Sequence, residues 1–196
     1  MTSTAETPQQ RAAVATQPAP GATDAPHPAK AADEEGSAPS SSSRSESSGA
    51  EVIAFANQKG GVAKTTTTLN LAVAFAEAGH RVLAVDMDPQ GNLTMSQGID
   101  PDSVEKSMYD VLVHHLSIRE VIRKREVDIA CASIDLAGAE IAMSTQIGRE
   151  RSLEKALRPV RDDYDFICID TPPSLGLLTI NALTAAAKVI VPVQCE

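Results

Sequence analysis

The sequence predicts an α/β fold, a mostly parallel central sheet flanked by helices and preceded by a disordered N-terminal tail. Three observations carry this. A strand, a glycine-bearing loop and a helix follow one another directly in Ala54 to Asn70, AFANQKGGVAKTTTTLN. Short apolar, β-branched runs then alternate with helix-period segments, the pattern of strands covered on both faces. Finally, residues 1–50 are rich in Ala, Pro, Ser, Thr and Glu with hardly any large apolar side chain, so they cannot offset the entropy of ordering. The folded domain is therefore expected over residues 51–196, where most of the 42% hydrophobic content lies.

In chain order, Val52 to Ala56 reads as the first buried strand. A helix over Lys64 to Ala78 follows, with Leu69, Ala72, Phe75 and Ala78 at helical spacing and Gly79 as the stop. Arg81 to Asp86, RVLAVD, is the next strand, and a strand-helix-strand unit of this length implies a parallel sheet. Val127 to Ala132, Phe166 to Asp170 and Lys188 to Val193 read as further strands. Helices are predicted near Met108 to His115, Ile118 to Arg123, Ala137 to Thr145, Ser152 to Val160 and Leu177 to Ala186.

The loop after the first strand is suited to phosphate. Gly60 and Gly61 let the backbone approach a ligand with its N–H groups turned inward, and the helix starting near Lys64 adds its positive dipole end. Lys64 would reach phosphate as a point charge, and Thr65 would offer its hydroxyl to Mg²⁺. The pattern G-x-x-x-x-G-K-[ST] is not met, because Gln58 and Ala63 stand at the glycine positions. The deviant form K-G-G-x-x-K-T-[ST] fits as Lys59 Gly60 Gly61 Val62 Ala63 Lys64 Thr65 Thr66.

On these residues the sequence resembles the ParA/Soj partition ATPases, a branch of the deviant Walker family that also holds MinD and the nitrogenase iron protein. The resemblance implies a P-loop NTPase-like fold, ATP and Mg²⁺ as ligands, and a first lysine, Lys59, that reaches the partner's nucleotide in an ATP-sandwich dimer. Ala63 replaces the family's usual glycine; on helical φ/ψ an alanine there would be tolerated and would stiffen the loop.

Acids that end strands of an open parallel sheet face the ligand crevice. Asp86 and Asp88 stand at the end of RVLAVD, and Asp170 ends DFICID. Asp170 is the Walker B candidate, holding Mg²⁺ through water, with Asp86 supporting Mg²⁺ and the loop. The DMDPQGN segment resembles the family's D-x-D-P-Q-G-N switch, which makes Asp88 the residue that orients the attacking water. The competing reading is that these aspartates are ordinary turn residues.

Other features are assigned to the background. Cys131, Cys168 and Cys195 lack metal-ligand spacing and read as buried reduced thiols. His114 and His115 read as cations at a helix C-terminus, not as metal ligands. The basic run Arg119, Arg123, Lys124, Arg125 is interrupted by Glu120 and Glu126 and reads as a solvated helix face. No stretch is long and apolar enough to span a bilayer, since Leu175 to Val193 is broken by Asn181, Lys188 and Pro192, and the tail lacks an apolar signal core. A cytoplasmic protein, nucleoid-associated when ATP-bound, is expected.

The family resemblance implies a centromere-binding ParB-like partner and nonspecific DNA binding by the full-length dimer, without a membrane. The formal net charge of −9 has the wrong sign for DNA binding by bulk electrostatics, so any such contact requires a local basic patch. The last strand is followed by only a few residues, so the chain is expected to be a C-terminally incomplete piece. The alternatives are a MinD-like membrane-cycling ATPase and a nucleotide-binding or interaction fragment without turnover.

Overall fold

Alternation along the strands decides the layering. The computed structural model describes residues 49–195, so the expected tail, residues 1–50, falls almost wholly outside the described residues. Six strands form one sheet: β1 (Glu51–Phe55), β2 (Val82–Asp86), β3 (Ile122–Arg123), β4 (Asp128–Ala130), β5 (Phe166–Asp170) and β6 (Lys188–Ile190), in spatial order β3-β4-β2-β5-β1-β6. All pairings are parallel except β3 with β4, which makes the sheet mostly parallel as expected.

Odd and even strand residues feed two separate cores. Ile53, Phe55, Val82, Ala84, Ile129 and Cys168 face the helices α1 (Lys64–Glu77) and α2 (Asn92–Ser96), meeting Leu69, Ala72, Phe75 and Leu93. Val52, Ala54, Leu83, Val85, Ile167 and Ile169 face the other side. There they meet α3 (Met108–Val113), α4 (Ala139–Ala142), α5 (Ser152–Leu157) and α6 (Leu177–Ala185), through side chains such as Leu112, Leu153, Leu157 and Leu178. The result is a helix-sheet-helix sandwich.

Helix α1 stops where the glycine predicts. Gly79 takes φ +89°, its N–H donates to Ala76 O at 2.9 Å, and the His80 N–H donates to Phe75 O at 3.1 Å. Those two bonds form a Schellman cap, with the His80 ring set edge-on to Phe75.

Several boundaries differ from the sequence expectation, each for a local reason. Ile118 to Arg123 is not a helix: Ile118–Glu120 is a 3₁₀ turn, and Ile122–Arg123 pairs with β4. Burial of Ile118 and Val121 satisfies a single turn as well as a helix, and the next two residues gain ladder bonds. The segment predicted over Ala137 to Thr145 is a 3₁₀ turn, Ile134–Gly138, running into the one-turn α4; Gly138 at the junction does not favour propagation. Helix α5 ends at Leu157 and continues as 3₁₀ through Arg158–Asp163, because Pro159 has no amide to donate. For the same reason Pro192 cannot extend the ladder of β6, which ends at Ile190.

Cys131 and Cys168 are buried, and burial pushes their thiols up to about 11 and about 12. Cys195 corrects the expectation: it is exposed, lying past Pro192 and outside the sheet. The basic run is solvated but is not a helix face. Arg119 pairs with Asp163 at 2.6 Å, Lys124 with Asp128, and the guanidinium groups of Arg123 and Arg125 donate to nearby carbonyls. Among the described residues no helix is long and apolar enough to cross a membrane.

Candidate phosphate-binding and catalytic site

The sheet register brings two of the singled-out carboxylates side by side. Asp86 ends β2 directly opposite Asp170, which ends β5 and is itself level with Phe55 at the end of β1. Both acids are fully buried. Strand alternation aims Asp170 at α1, where the Thr65 hydroxyl donates to its Oδ2 at 2.6 Å. The Thr68 hydroxyl is shared between Asp170 Oδ1 at 3.3 Å and the Lys64 carbonyl at 2.9 Å. Burial pushes Asp170 up to about 6, against the lowering effect of the Thr65 hydrogen bond. Asp86 is pushed up to about 7 by burial, although the Thr94 amide and hydroxyl both donate to it.

Between β1 and α1 the start of the loop is pinned through Asn57. Asn57 Oδ1 accepts the Lys59 amide at 2.9 Å, while its Nδ2 donates to Pro192 O at 2.8 Å. Val62 is buried and anchors the middle. Gly60 and Gly61 face open space, since a Cβ at either would meet no atom within 4 Å, and Gly61 stands at φ +75°. Helix α1 begins with no side-chain cap and no acid in its first turn, so its first amides lack a side-chain partner. Lys64 is only 7% exposed instead of lying in solvent, and its charge acts on Asp170 to lower that acid's pKa, against the upward push of burial.

These elements open on one cleft of about 800 Å³, whose walls include Gly60, Gly61, Lys64, Thr65, Thr66 and Asp88. Asp88 is nearly buried; its Oδ1 accepts the Gln90 amide at 3.0 Å, and its own amide donates to Asp86 Oδ1 at 3.1 Å. The result is a glycine-lined cradle at an open helix N-terminus, with Lys64, the Thr65 hydroxyl and Asp88 on its walls, Asp170 behind Thr65 and Asp86 behind Asp88.

A family model described as an AAA domain matches residues 50–196. The chain belongs to this family, on its ParA/Soj-type branch. Two curated relatives are the sporulation initiation inhibitor protein Soj of Bacillus subtilis and the chromosome partitioning protein ParA of Myxococcus xanthus. Soj is 52% identical over 149 residues (74% of this chain, 59% of the relative), and ParA is 48% identical over 148 residues (74% and 52%). The chain thus spans little more than half the length of these relatives. Among solved structures it is similar to a cobyrinic acid a,c-diamide synthase from Mycobacterium smegmatis with bound ATP analogue and magnesium. That likeness has 49% identity and a TM-score of 0.74, and covers 75% of this chain and 61% of that one.

Within this ParA/Soj-type domain, one expectation about the loop is corrected. Ala63 is not in a helical conformation; it is the left-handed N-cap of α1, at φ 60° and ψ 32°. Alanine there is strained by about 1–2 kcal/mol, so it does not stiffen the loop in the way a helical alanine would. His114 and His115 are not among the cleft-wall residues: His114 caps α3 with Nδ1 3.2 Å from Asp110 Oδ1, and His115 takes φ 57°.

The ParA/Soj-type site also uses residues that sequence patterns did not single out. Asn57 could have been found as an Asx residue opening a turn, since its side chain caps an amide two residues on. Thr68 and Thr94 gave no such signal, because their carboxylate partners lie 102 and 8 residues away in sequence.

Proposed function

We propose that this chain is the nucleotide-handling part of a partition ATPase, binding ATP with Mg²⁺ and transferring the γ-phosphoryl group to water. The observation that carries this is the 2.6 Å contact of Thr65 with Asp170 beneath an uncapped helix start, whose first residue, Lys64, is buried. The amides around Gly60 and Gly61, with Val62, Ala63 and Thr66 completing the turn, cradle the phosphates, and Lys64 balances their charge.

The donor set fits magnesium. Thr65 and Asp170 are hard oxygen ligands, and among the described residues no three His, Cys, Asp or Glu side chains gather into a cage. Mg²⁺ characteristically binds through one or two protein oxygens plus substrate phosphates. Thr65 would hold it by its hydroxyl, Asp170 through water, and Asp86 would support the pair; when bound it supplies charge neutralisation at the phosphoryl oxygens. Asp88, on the cleft wall, orients the attacking water. Its carboxylate accepts the proton as the water oxygen bonds to phosphorus and the bond to the ADP oxygen breaks.

The further steps follow the ParA/Soj-type relatives. ATP closes a sandwich dimer in which Lys59 meets the partner's phosphates, the dimer holds DNA nonspecifically, and a centromere-binding protein stimulates hydrolysis. A second reading, amide synthesis powered from the same cleft, is favoured by the 49% identity to the cobyrinic acid a,c-diamide synthase of Mycobacterium smegmatis.

The test is phosphate release by the full-length protein, with and without DNA and a centromere-binding partner, alongside Asp88→Ala. The proposal expects turnover with no amine donor present, stimulation by DNA plus partner, and an Asp88→Ala protein that binds ATP without hydrolysing it. Turnover that requires an amine donor would favour the synthase reading. Wild-type hydrolysis by Asp88→Ala would remove that residue from catalysis.

A further inference from the structure

The segment carrying Asp88 is held by a hydroxyl that lies outside the cradle. Thr94 is completely buried in the first turn of α2. Its Oγ1 donates to Asp86 Oδ2 at 2.8 Å and accepts the Ala132 amide at 3.0 Å. Its own amide donates to the same Asp86 oxygen at 2.9 Å. The other oxygen, Oδ1, accepts the Asp88 amide at 3.1 Å. One hydroxyl therefore ties together the end of β2, the start of α2 and the exit of β4.

Two consequences follow for the carboxylate between them. With both oxygens engaged, the Asp86 carboxylate cannot turn about its Cβ–Cγ bond without breaking hydrogen bonds, so the acceptor for the Asp88 amide stays fixed. Remove the hydroxyl, and Oδ2 keeps one donor while the buried Ala132 amide loses its acceptor. Helix α2 has only five residues and cannot hold itself, so its direction depends on these ties.

We infer that Thr94 is a positioning residue for Asp88, acting through Asp86. This rests on the hydrolytic reading of the cleft. The phosphate cradle, Lys59 to Thr66, belongs to a different loop, among the described residues the Thr94 hydroxyl bonds only to Asp86 and Ala132, and without it Asp86 still accepts the Thr94 and Asp88 amides, so its support of the nucleotide site should change little.

The test uses the full-length protein with Thr94→Val, which keeps the shape and removes the hydroxyl, and Thr94→Ser, which restores it. Three readouts are needed: kcat and KM for ATP hydrolysis, affinity for a non-hydrolysable ATP analogue, and amide exchange across residues 86–96. Thr94→Val should lower kcat about tenfold, the effect of one buried hydrogen bond and an orphaned partner. KM and analogue affinity should stay within about twofold, and Thr94→Ser should recover kcat to within about twofold. Amide exchange at Asp88 and Gln90 should quicken in the valine variant alone, with β5 unchanged.

Wild-type kcat and exchange in Thr94→Val would overturn the inference, as would parallel loss of affinity and kcat, or a serine variant that behaves like valine. If the wild-type protein itself releases no phosphate, the hydrolytic reading fails; unchanged exchange in Thr94→Val would then separately refute the positioning.

Discussion

Gly91→Ala is a severe test of how the switch segment is built. Gly91 is the N-cap of α2 at φ +63°, and a Cβ added there would lie 2.6 Å from Cγ and 2.9 Å from Cβ of Pro101. The left-handed backbone alone costs an alanine about 1–2 kcal/mol. Forcing a methyl into a buried, rigid proline ring adds roughly 1–3 kcal/mol. The smaller entropy of the unfolded alanine chain returns about 0.4–1 kcal/mol. A net loss near 3 kcal/mol lowers the thermal midpoint of a domain this size by roughly 6–12 °C. The assay is urea unfolding at constant m value, with Gly60→Ala as control. Gly60 has an ordinary φ and open space around its missing Cβ, so the control should retain stability while losing nucleotide affinity. A Gly91→Ala protein within about 1 kcal/mol of wild type would mean that Pro101 gives way and that the entry to α2 is not rigid.

Lys64→Ala should lower ATP affinity by about a hundredfold or more, because it strips the charge partner from phosphates in a partly desolvated cleft; equal affinity by calorimetry would sink the cradle assignment. Lys59→Ala in the full-length protein should keep monomeric nucleotide binding and lose ATP-dependent dimerisation, and a wild-type dimer mass by light scattering would refute the action in trans. For pH, burial lifts Asp86 to about 7 and Asp170 to about 6 from a starting value of 3.8, so between about pH 4 and 7 the folded state holds more protons than the unfolded. The contribution of these two groups to stability therefore falls as pH rises through that window, and nucleotide-free protein should have a higher urea midpoint at pH 5.5 than at pH 8. Asp165, held near 2 chiefly by the Arg81 hydrogen bond, acts in the opposite sense only below about pH 4. A lower midpoint at pH 5.5 would refute the assignment.

Five of the six strands and the glycine loop after β1 were legible because their signals are local. Apolar runs fix the strands, glycines mark the loop, and acids at strand ends fall where parallel sheets place their ligands. Helices such as Ile118 to Arg123 were misread because burial of two residues three apart does not separate a helix from a turn beside an edge strand. Ala63 was misjudged because its left-handed conformation is imposed by the loop and leaves no trace in an alanine side chain. The tie from Thr94 through Asp86 to Asp88 was invisible for a different reason. It depends on Ala132, at the exit of β4, approaching β2 only in the folded sheet.

Two helices open toward the cleft, and they begin alike. The N-caps of α1 and α2, Ala63 and Gly91, are both left-handed, and neither carries a side-chain cap of its own. Left-handed entry turns the chain sharply into the helix and leaves the first amides in need of acceptors. In α2 that need is met internally: Asp86 Oδ2 takes the Thr94 amide, so a carboxylate already occupies that helix start. In α1 no acid stands in the first turn and no side chain caps it, although the neighbouring buried acid, Asp170, is near enough to accept from Thr65 Oγ1. Asp170 takes the hydroxyl and leaves the helix start to something else. Of two matching helix entries on one cleft, the chain supplies a carboxyl oxygen to one; the other, flanked by Gly60, Gly61 and Lys64, is where an external anion belongs.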